Sequence, residues 1–239
     1  MVRDIRLALL PPAGTWPRAR AVAVVDALRA TTTICALLGH GARAVIAADS
    51  EERARQLAAE RGALLAGEVG GLPPPGFDLG NSPAAVDRAA VGGRDVVLFT
   101  TNGTKALCAA SAAGPAIAAA AVNASAAASW LSHAEDVLIA CAGEAGGTVF
   151  ALEDFAVAAH LIQLLSRGHP AARLDDAARL ALAIPEPLRL LREARHARDL
   201  EALGLAADIA FAGQADLFES VPLVTARGEG WARLEPAPA

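Results

Sequence analysis

Residues 21–33 run Ala-Val-Ala-Val-Val-Asp-Ala-Leu-Arg-Ala-Thr-Thr-Thr, and residues 95–105 run Asp-Val-Val-Leu-Phe-Thr-Thr-Asn-Gly-Thr-Lys. Each stretch is a short apolar strand followed by a polar, threonine-rich turn that opens a helix. A strand that leads into a helix N-terminus gathers free backbone N–H groups, which attract anions and above all phosphate. Two such turns in one parallel sheet would open onto the same edge. The pair therefore predicts an enzyme that handles phosphate groups.

Strand-like and helical segments alternate along most of the chain. Short apolar runs bounded by turn residues predict strands at 22–25, 44–47, 64–66, 96–99, 117–122 and 137–140. The segments between them predict helices at 32–38, 51–61, 83–89, 104–112, 124–132 and 153–166. This alternation predicts an α/β fold, a three-layer α/β/α sandwich with a largely parallel sheet and right-handed crossovers.

The pattern changes after residue 170. Helices predicted at 174–184, 187–192 and 197–203 form a C-terminal helical arm, about 171–204, which is followed by a short predicted strand at 208–211. We interpret the arm as part of a single domain that covers residues 1–239. Residues 235–239 are rich in proline and alanine and predict a frayed tail. The long loop at 67–82 is of the kind that is either functional or disordered.

The composition limits the classes of partner. A hydrophobic content of 54% supports a buried core, whereas 4% aromatic residues and a net charge of −5 argue against a surface that binds nucleic acid. A small anionic substrate remains compatible, because the field in a cleft depends on local charges. The sequence shows neither a signal peptide nor an apolar run of roughly 18 residues, so we expect a cytoplasmic protein with no membrane partner. Cys35, Cys108 and Cys141 are expected to be buried free thiols.

Polar residues fall where the predicted strands end. They are Asp26, Glu68, residues 100–102, Asn123 and residues 141–144. Any one of them could be no more than a helix cap. Since the carboxyl ends of parallel strands share one edge of a sheet, together they predict a ligand site at that edge.

Three residues of the two threonine-rich turns carry side chains with a specific chemistry. Asp26 follows a fully apolar strand, and its carboxylate is a metal ligand, a nucleophile or a plain N-cap. Arg29 either grips an oxyanion or lies on a solvated helix face. Lys105 is the only lysine in the chain and lies in the second turn, where an ammonium group suits phosphate.

Two further pairs allow more than one interpretation. Glu153 and Asp154 open a helix, where carboxylates either stabilise the helix dipole or bind magnesium. His196 and Arg198, in the arm, either reach the site or lie on a solvated face. The familiar G-x-G-x-x-G, P-loop and G-x-S-x-G motifs are absent, and Asp26 lacks the second aspartate of a haloacid dehalogenase-type hydrolase.

Several of these strings occur together in one known family. The strings at 26–33, 67–68, 76–83, 100–104, 141–143, 152–154 and 200–209 resemble, in family order, the 2-phosphosulfolactate phosphatase family. The resemblance covers roughly residues 20–222. It implies a magnesium-dependent phosphatase that hydrolyses 2-phospho-3-sulfolactate to 3-sulfolactate and phosphate, a step of coenzyme M biosynthesis. It also implies an α/β/α fold distinct from those of the better-known phosphatases.

The resemblance and the turn chemistry together give a set of expected site residues. The expected catalytic residues are Asp26, Arg29 and Lys105. Those expected to bind substrate are Thr31, Thr32, Asn81, Thr101, Asn102, Gly103, Thr104 and Arg198. Those expected to hold Mg²⁺ are Asp26, Glu68, Glu153 and Asp154. Two alternatives stay open, a phosphatase of another small carboxylated phosphoester and a non-catalytic anion-binding protein, and a homodimer is expected only from the class of protein.

Overall fold

The computed structural model describes residues 1–238 and contains a ten-stranded mixed sheet. Its strands are β1 (Asp4–Ala8), β2 (Ala21–Val25), β3 (Ala44–Ala48), β4 (Leu64–Gly67), β5 (Asp95–Phe99), β6 (Ala116–Ala119), β7 (Asp136–Cys141), β8 (Arg173–Leu174), β9 (Pro222–Gly228) and β10 (Trp231–Pro236). Every strand predicted before residue 170 is present. Strands β1 and β8 and the hairpin of β9 and β10 were not predicted.

The helices are α1 (Ala30–Gly39), α2 (Glu51–Arg61), α3 (Arg88–Val91), α4 (Gly103–Ala110), α5 (Ala124–Leu131), α6 (Leu152–Gly168), α7 (Asp176–Leu182), α8 (Arg195–Ala202) and α9 (Ala206–Ala212). Short 3₁₀ segments cover Pro83–Ala85, Ala121–Asn123 and Pro187–Glu193. The caps are locally encoded, as α2 shows. Ser50 Oγ accepts a hydrogen bond from Arg53 N at its start, and Gly62 ends it at φ +59°, where a side chain would be strained.

The strand order is β4-β5-β3-β10-β9-β6-β2-β7-β1-β8. Strands β3, β5 and β4 form one parallel block, and β6, β2, β7, β1 and β8 form another. The hairpin of β9 and β10 lies between the blocks and pairs antiparallel with both. Three antiparallel pairings lie between β3 and β6, and the one between β9 and β6 consists of a single residue pair. The expectation of a largely parallel sheet is confirmed, and the antiparallel hairpin in its middle is an addition that was not predicted.

Helices cover both faces of the sheet. Alternate residues of β2 contribute to two different apolar clusters, with Ala23 and Val25 facing α5 and α6, and Val22 and Val24 facing α1 and α4. Helix α2 packs on β3 and β5 through a third cluster. Because β2 is buried on both faces, its sequence is a continuous apolar run. The predicted three-layer α/β/α arrangement is confirmed.

The C-terminal part differs from the prediction in three places. Residues 208–211 are helical within α9, because a short apolar run alone does not distinguish a buried strand from a buried helix. The helix predicted at 174–184 begins at Asp176, after the two residues of β8. Residues 235–236 belong to β10 and are not frayed, and residue 239 lies outside the described residues.

All three cysteines are free thiols, as expected. Cys35 and Cys141 are buried free thiols, while Cys108 is half-buried. Burial raises the pKa of all three, and the carboxylates of Asp154 and Glu153 add to the shift at Cys141. Within residues 1–238 no helix is both long and apolar enough to cross a membrane.

Candidate active site

The turn after β2 is held by hydrogen bonds between near neighbours in the sequence. Asp26 Oδ1 accepts from Ala30 N at 3.0 Å, so the carboxylate caps α1. Thr31 Oγ1 accepts from Asp26 N and donates to Asp26 O, and Thr32 Oγ1 donates to Ala27 O. These contacts leave Asp26 Oδ2 without a hydrogen-bond partner among the described residues. The capping role and a reactive role therefore use different oxygens of the same carboxylate.

The turn after β5 meets Asp26. Thr104 Oγ1 donates to Thr100 O at 3.0 Å and fixes the start of α4. Helix α4 packs against β3, β2 and β6, which brings its first residue, Gly103, onto the Asp26 side chain. A Cβ on Gly103 would overlap with Asp26 Oδ2. The two turns predicted to share one site do so, although their strands belong to different blocks.

The start of α4 presents free backbone donors. Within residues 1–238, the N–H groups of Asn102, Gly103 and Lys105 have no hydrogen-bond acceptor. Asn102 Oδ1 accepts from Gly146 N at 2.8 Å, which joins this turn to the loop after β7. Three unpaired amides at a helix N-terminus favour an anion. One of the three residues, Gly103, lies against the free oxygen of Asp26.

The carboxylates of Glu68 and Asp154 connect neighbouring loops by hydrogen bonds. Glu68 Oε1 accepts from Thr101 N and Thr101 Oγ1 at 2.9 and 2.6 Å, and its Oε2 accepts from Gly71 N. Asp154 accepts from Ala27 N at 2.8 Å and from Gly143 N at 3.0 Å. All four oxygens are thus engaged by protein donors. Both residues therefore position the turns, and each carboxylate keeps at least one lone pair with which it could also bind a metal ion.

Glu153 and His196 form the third side of the site. Glu153 is 2% exposed, and its Oε2 is buried without a hydrogen-bond partner. Its Oε1 lies 3.0 Å from His196 Nδ1, at the start of α8. The helical arm therefore reaches the site through His196, whereas Arg198 is exposed and donates to Glu193 O. The exposed fraction of the His196 side chain is only 26%, so a solvated face is the wrong interpretation for this residue.

Crowding of carboxylates perturbs the protonation of this site. Burial raises the pKa of Asp26 to about 6, against the opposing effects of the Ala30 hydrogen bond and His196, and with reinforcement from Glu68 and Glu153. The pKa of Asp154 is also raised, by burial and by the charges of Asp26 and Glu153. Burial lowers the pKa of His196, but its hydrogen bond to Glu153 and the nearby charges outweigh that and raise it. Ionising these carboxyl groups together is therefore costly in the folded protein, and a bound cation would relieve that cost.

The donor set suits a hard divalent cation. Among residues 1–238 no group of three His, Cys, Asp or Glu side chains is already arranged as a metal site. Magnesium needs fewer protein ligands, since it usually binds one or two carboxylates together with water and substrate phosphate. Within residues 1–238 neither Asp26 Oδ2 nor Glu153 Oε2 accepts a hydrogen bond, and Glu153 Oε2 is also fully buried, which is costly without a cation. The residues therefore fit Mg²⁺ through Asp26 and Glu153 first.

Arg29 is tied into the protein from two sides. Its guanidinium donates to Asp208 Oδ2 at 2.6 Å and to Gly71 O at 2.7 Å. Asp208 also accepts from Ser82 Oγ and Ala84 N. Arg29 thereby connects the turn after β2 to α9 and to both ends of the 67–82 loop, and it does not lie on a solvated helix face.

The other expected site residues fall into two groups. Thr31, Thr32 and Thr104 are fully buried and use their hydroxyls inside the turns. Asn81 is buried with an unpartnered Oδ1, close in sequence to the Asp208 contacts. Lys105 is exposed on the first turn of α4, and within the described residues it makes no ion pair. The geometry thus brings together the carboxylates and the α4 amides, while the contacts of Lys105 and Arg198 within residues 1–238 link neither side chain to them.

Asp208 was not among the expected site residues, and the ion pair of Glu144, in the loop after β7, with Arg195, in the arm, was not predicted. Asp208 was placed in a strand, and its partner Arg29 is 179 residues away in the chain. The available signal was an aspartate inside an apolar segment, since a buried carboxylate requires a partner.

Gly103→Ala tests the close approach of the two turns. The added Cβ would overlap with Asp26 and with Ala30 Cβ, neither of which ends in a flexible chain, so α4 must move away. We expect a loss of about 1–3 kcal/mol in the free energy of unfolding and, because the amides leave Asp26, a fall of about 100-fold in turnover. The measurements are chemical denaturation and phosphate release. Gly168→Ala, at a glycine with no atom near its added Cβ, is the control and should keep both values.

The fold and the site together define an α/β protein in which buried carboxylates face an anion-receiving helix N-terminus. Such a site is typical of an enzyme that acts on small phosphate esters.

The comparison with known proteins specifies the family. A model of the family described as 2-phosphosulpholactate phosphatase matches residues 10–227. The chain is 42% identical to the probable 2-phosphosulfolactate phosphatase of Thermus thermophilus over 86% of this chain and 88% of that protein. It is 38% identical to the one of Thermotoga petrophila, over 85% and 88%, and 40% identical to the one of Deinococcus radiodurans, over 83% and 85%. The chain belongs to the 2-phosphosulpholactate phosphatase family. The expectation of a phosphoric monoester hydrolase is thereby confirmed.

Proposed function

We propose that the protein is a magnesium-dependent phosphatase that hydrolyses 2-phospho-3-sulfolactate to 3-sulfolactate and phosphate, in the cytoplasm and as a step of coenzyme M biosynthesis. The substrate is suggested by the names of the relatives. A homodimer belongs to the same proposal, as a property of the class. The observation that carries the chemistry is the contact of Gly103 with Asp26, which sets a free carboxylate oxygen against a turn with three free amides.

The chain's own residues divide the work. The amides of Asn102, Gly103 and Lys105 would receive phosphoryl oxygens and stabilise the charge that grows on them during transfer. Asp26 and Glu153 would hold the Mg²⁺, and Glu68 and Asp154 would keep the surrounding turns in place. When bound, Mg²⁺ supplies charge neutralisation at the phosphate and orients water.

Two roles depend on residues at the rim of this arrangement. Arg29 keeps unused N–H groups beyond its bonds to Asp208 and Gly71, and in this proposal they contact the anion. Lys105, Arg198 and Thr101 remain proposed substrate contacts, and the buried Thr31, Thr32 and Thr104 would contribute by holding the turns in shape. Whether Asp26 binds the metal or attacks phosphorus itself, giving a phospho-aspartate, is decided by trapping of a labelled enzyme during turnover.

The test is release of inorganic phosphate from 2-phosphosulfolactate, phospholactate and phosphoglycerate, each with Mg²⁺ and with EDTA. We expect rapid release from 2-phosphosulfolactate only, and a loss of about 100-fold or more when the metal is removed. Release that is equal from all three would replace the substrate by small carboxylated phosphoesters in general. Phosphate binding without turnover of any of them would contradict the enzyme and support a non-catalytic anion-binding protein.

A further inference from the structure

A second cleft lies at the opposite end of the sheet. It has a volume of about 720 Å³ and is lined by the segment before β2, the segment between α4 and β6, and one edge of β9. Arg20 directly precedes β2 and Asp26 directly follows it. Six residue steps along an extended strand span about 20 Å, so this cleft and the carboxylates lie at different ends of the molecule.

The cleft has an excess of positive charge. Arg18, Arg20 and Arg227 line it, all three are exposed, and none has a carboxylate partner within residues 1–238. The acidic side chain in the lining, Asp136, is already neutralised by Arg6, whose Nε and Nη2 donate to Oδ1 and Oδ2 at 3.1 and 2.8 Å. Three free guanidinium groups thus share one cavity in a chain whose net charge is −5.

The backbone shapes the cleft. Strand β9 pairs with β6 only at Leu223 and Ile117, so residues 225–227 continue past the start of β6 with one edge unpaired by any strand of the described chain. On the other wall, a Cβ on Gly114 would overlap with Ala19 O. The glycine therefore allows the two wall segments to approach. The notch between β9 and β6 is a product of the fold and adds unpaired backbone groups to the guanidinium groups.

We propose that this cleft is a second anion-binding site, which takes a small polyanion with two or more phosphate groups. Arginine forks bind phosphate oxygens in a bidentate manner, and three of them around one cavity suit several phosphate groups better than one. The proposal does not rest on the proposed function, because it shares no residue with the carboxylate site.

The test is titration calorimetry of tripolyphosphate into the EDTA-treated full-length protein at low ionic strength. We expect saturable one-site binding that weakens as salt is added, since the charges are exposed. In Arg18→Ala/Arg20→Ala the affinity should fall about tenfold or more. Arg88→Ala, an exposed arginine outside the cleft, is the matched control and should bind like the wild type.

Three results would overturn the proposal. The first is the absence of binding by the wild type. The second is unchanged binding by the double variant, which would place the polyanion elsewhere on the protein. The third is a parallel loss of polyanion binding and phosphate release in the double variant, which would place it at the carboxylate site. Loss of binding with phosphate release intact supports the second site.

Discussion

Asp26→Asn should reduce phosphate release by about 10²- to 10⁴-fold and at the same time stabilise the metal-free protein. The amide oxygen of asparagine can still accept from Ala30 N, so the cap on α1 is kept. What is lost is the charge on the oxygen that lies against Gly103. Turnover should fail because the Mg²⁺ of the proposed site loses a carboxylate ligand, or phosphorus loses its nucleophile.

The stability effect follows from the sign of the pKa shift. Burial raises the pKa of Asp26 from 3.8 to about 6, so the folded protein binds this proton more tightly than the unfolded chain does. Below pH 3.8 the raised pKa does not lower the free energy of unfolding. The loss of stability grows between pH 3.8 and 6 and reaches its full size above pH 6. The difference corresponds to about 3 kcal/mol at most. At pH 7.5 without metal, Asp26→Asn should therefore raise the free energy of unfolding by about 1–3 kcal/mol.

Asp95 provides a control of opposite sign. Hydrogen bonds from Arg43 and Arg233 hold the pKa of Asp95 at about 2, against the effect of burial. Its ionised form stabilises the fold above pH 3.8, so Asp95→Asn should destabilise at pH 7.5 while phosphate release is kept. Thermal unfolding of both variants, with and without Mg²⁺, measures these changes in stability. Mg²⁺ should raise the melting temperature of the wild type but not that of Asp26→Asn. Normal turnover by Asp26→Asn would refute its role.

Asp208→Ala should lower the free energy of unfolding by about 3–5 kcal/mol. The side chains of Arg29 and Asp208 are 3% and 1% exposed, so the substitution leaves a buried guanidinium without its counter-ion. It also removes the acceptor of Ser82 Oγ and Ala84 N. The 67–82 loop should loosen, and turnover should fall with it because Glu68 belongs to that loop.

Asp4→Ala is the matched control for this ion pair. Asp4 pairs with Arg173, whose side chain is 80% exposed, and such a pair contributes less than about 1 kcal/mol. Denaturant unfolding of both variants measures the difference. If the two substitutions cost the same, the Arg29–Asp208 pair does not hold the loop. Asp208→Asn, which keeps an acceptor, should lie between Asp208→Ala and the wild type.

Much of the fold was predictable because its signals are local. Strands β2 to β7 are apolar runs bounded by turns, and the helices between them start and stop at local signals such as Ser50 and Gly62. Strands β9 and β10 were missed because they carry polar and charged residues and are only partly buried, although they lie in the middle of the sheet. Their register depends on partners far away in the chain, which periodicity does not show.

The candidate site was predictable to a similar extent. The four carboxylates and the α4 turn were named correctly as neighbours, since each follows a strand or opens a helix. As expected, the carboxyl ends of their strands meet: Thr101 bonds to Glu68, Gly103 lies against Asp26, and Asn102 bonds to the loop after β7. The contact arises because α4 crosses from β3 to β2 and places Gly103 on Asp26.

The sequence by itself determined which chemical groups are available and how each turn is built. Hydrogen bonds such as Asp26 Oδ1 with Ala30 N join residues four apart, so adjacency in the chain is enough to specify them. Only the tertiary structure decided which carboxylate oxygens stay without a hydrogen bond, which carboxylates connect loops, and which cation Asp208 pairs with. Those contacts join residues 127 and 179 positions apart, and they form only when packing of the sheet, the helices and the arm offsets the entropy of closing such long loops.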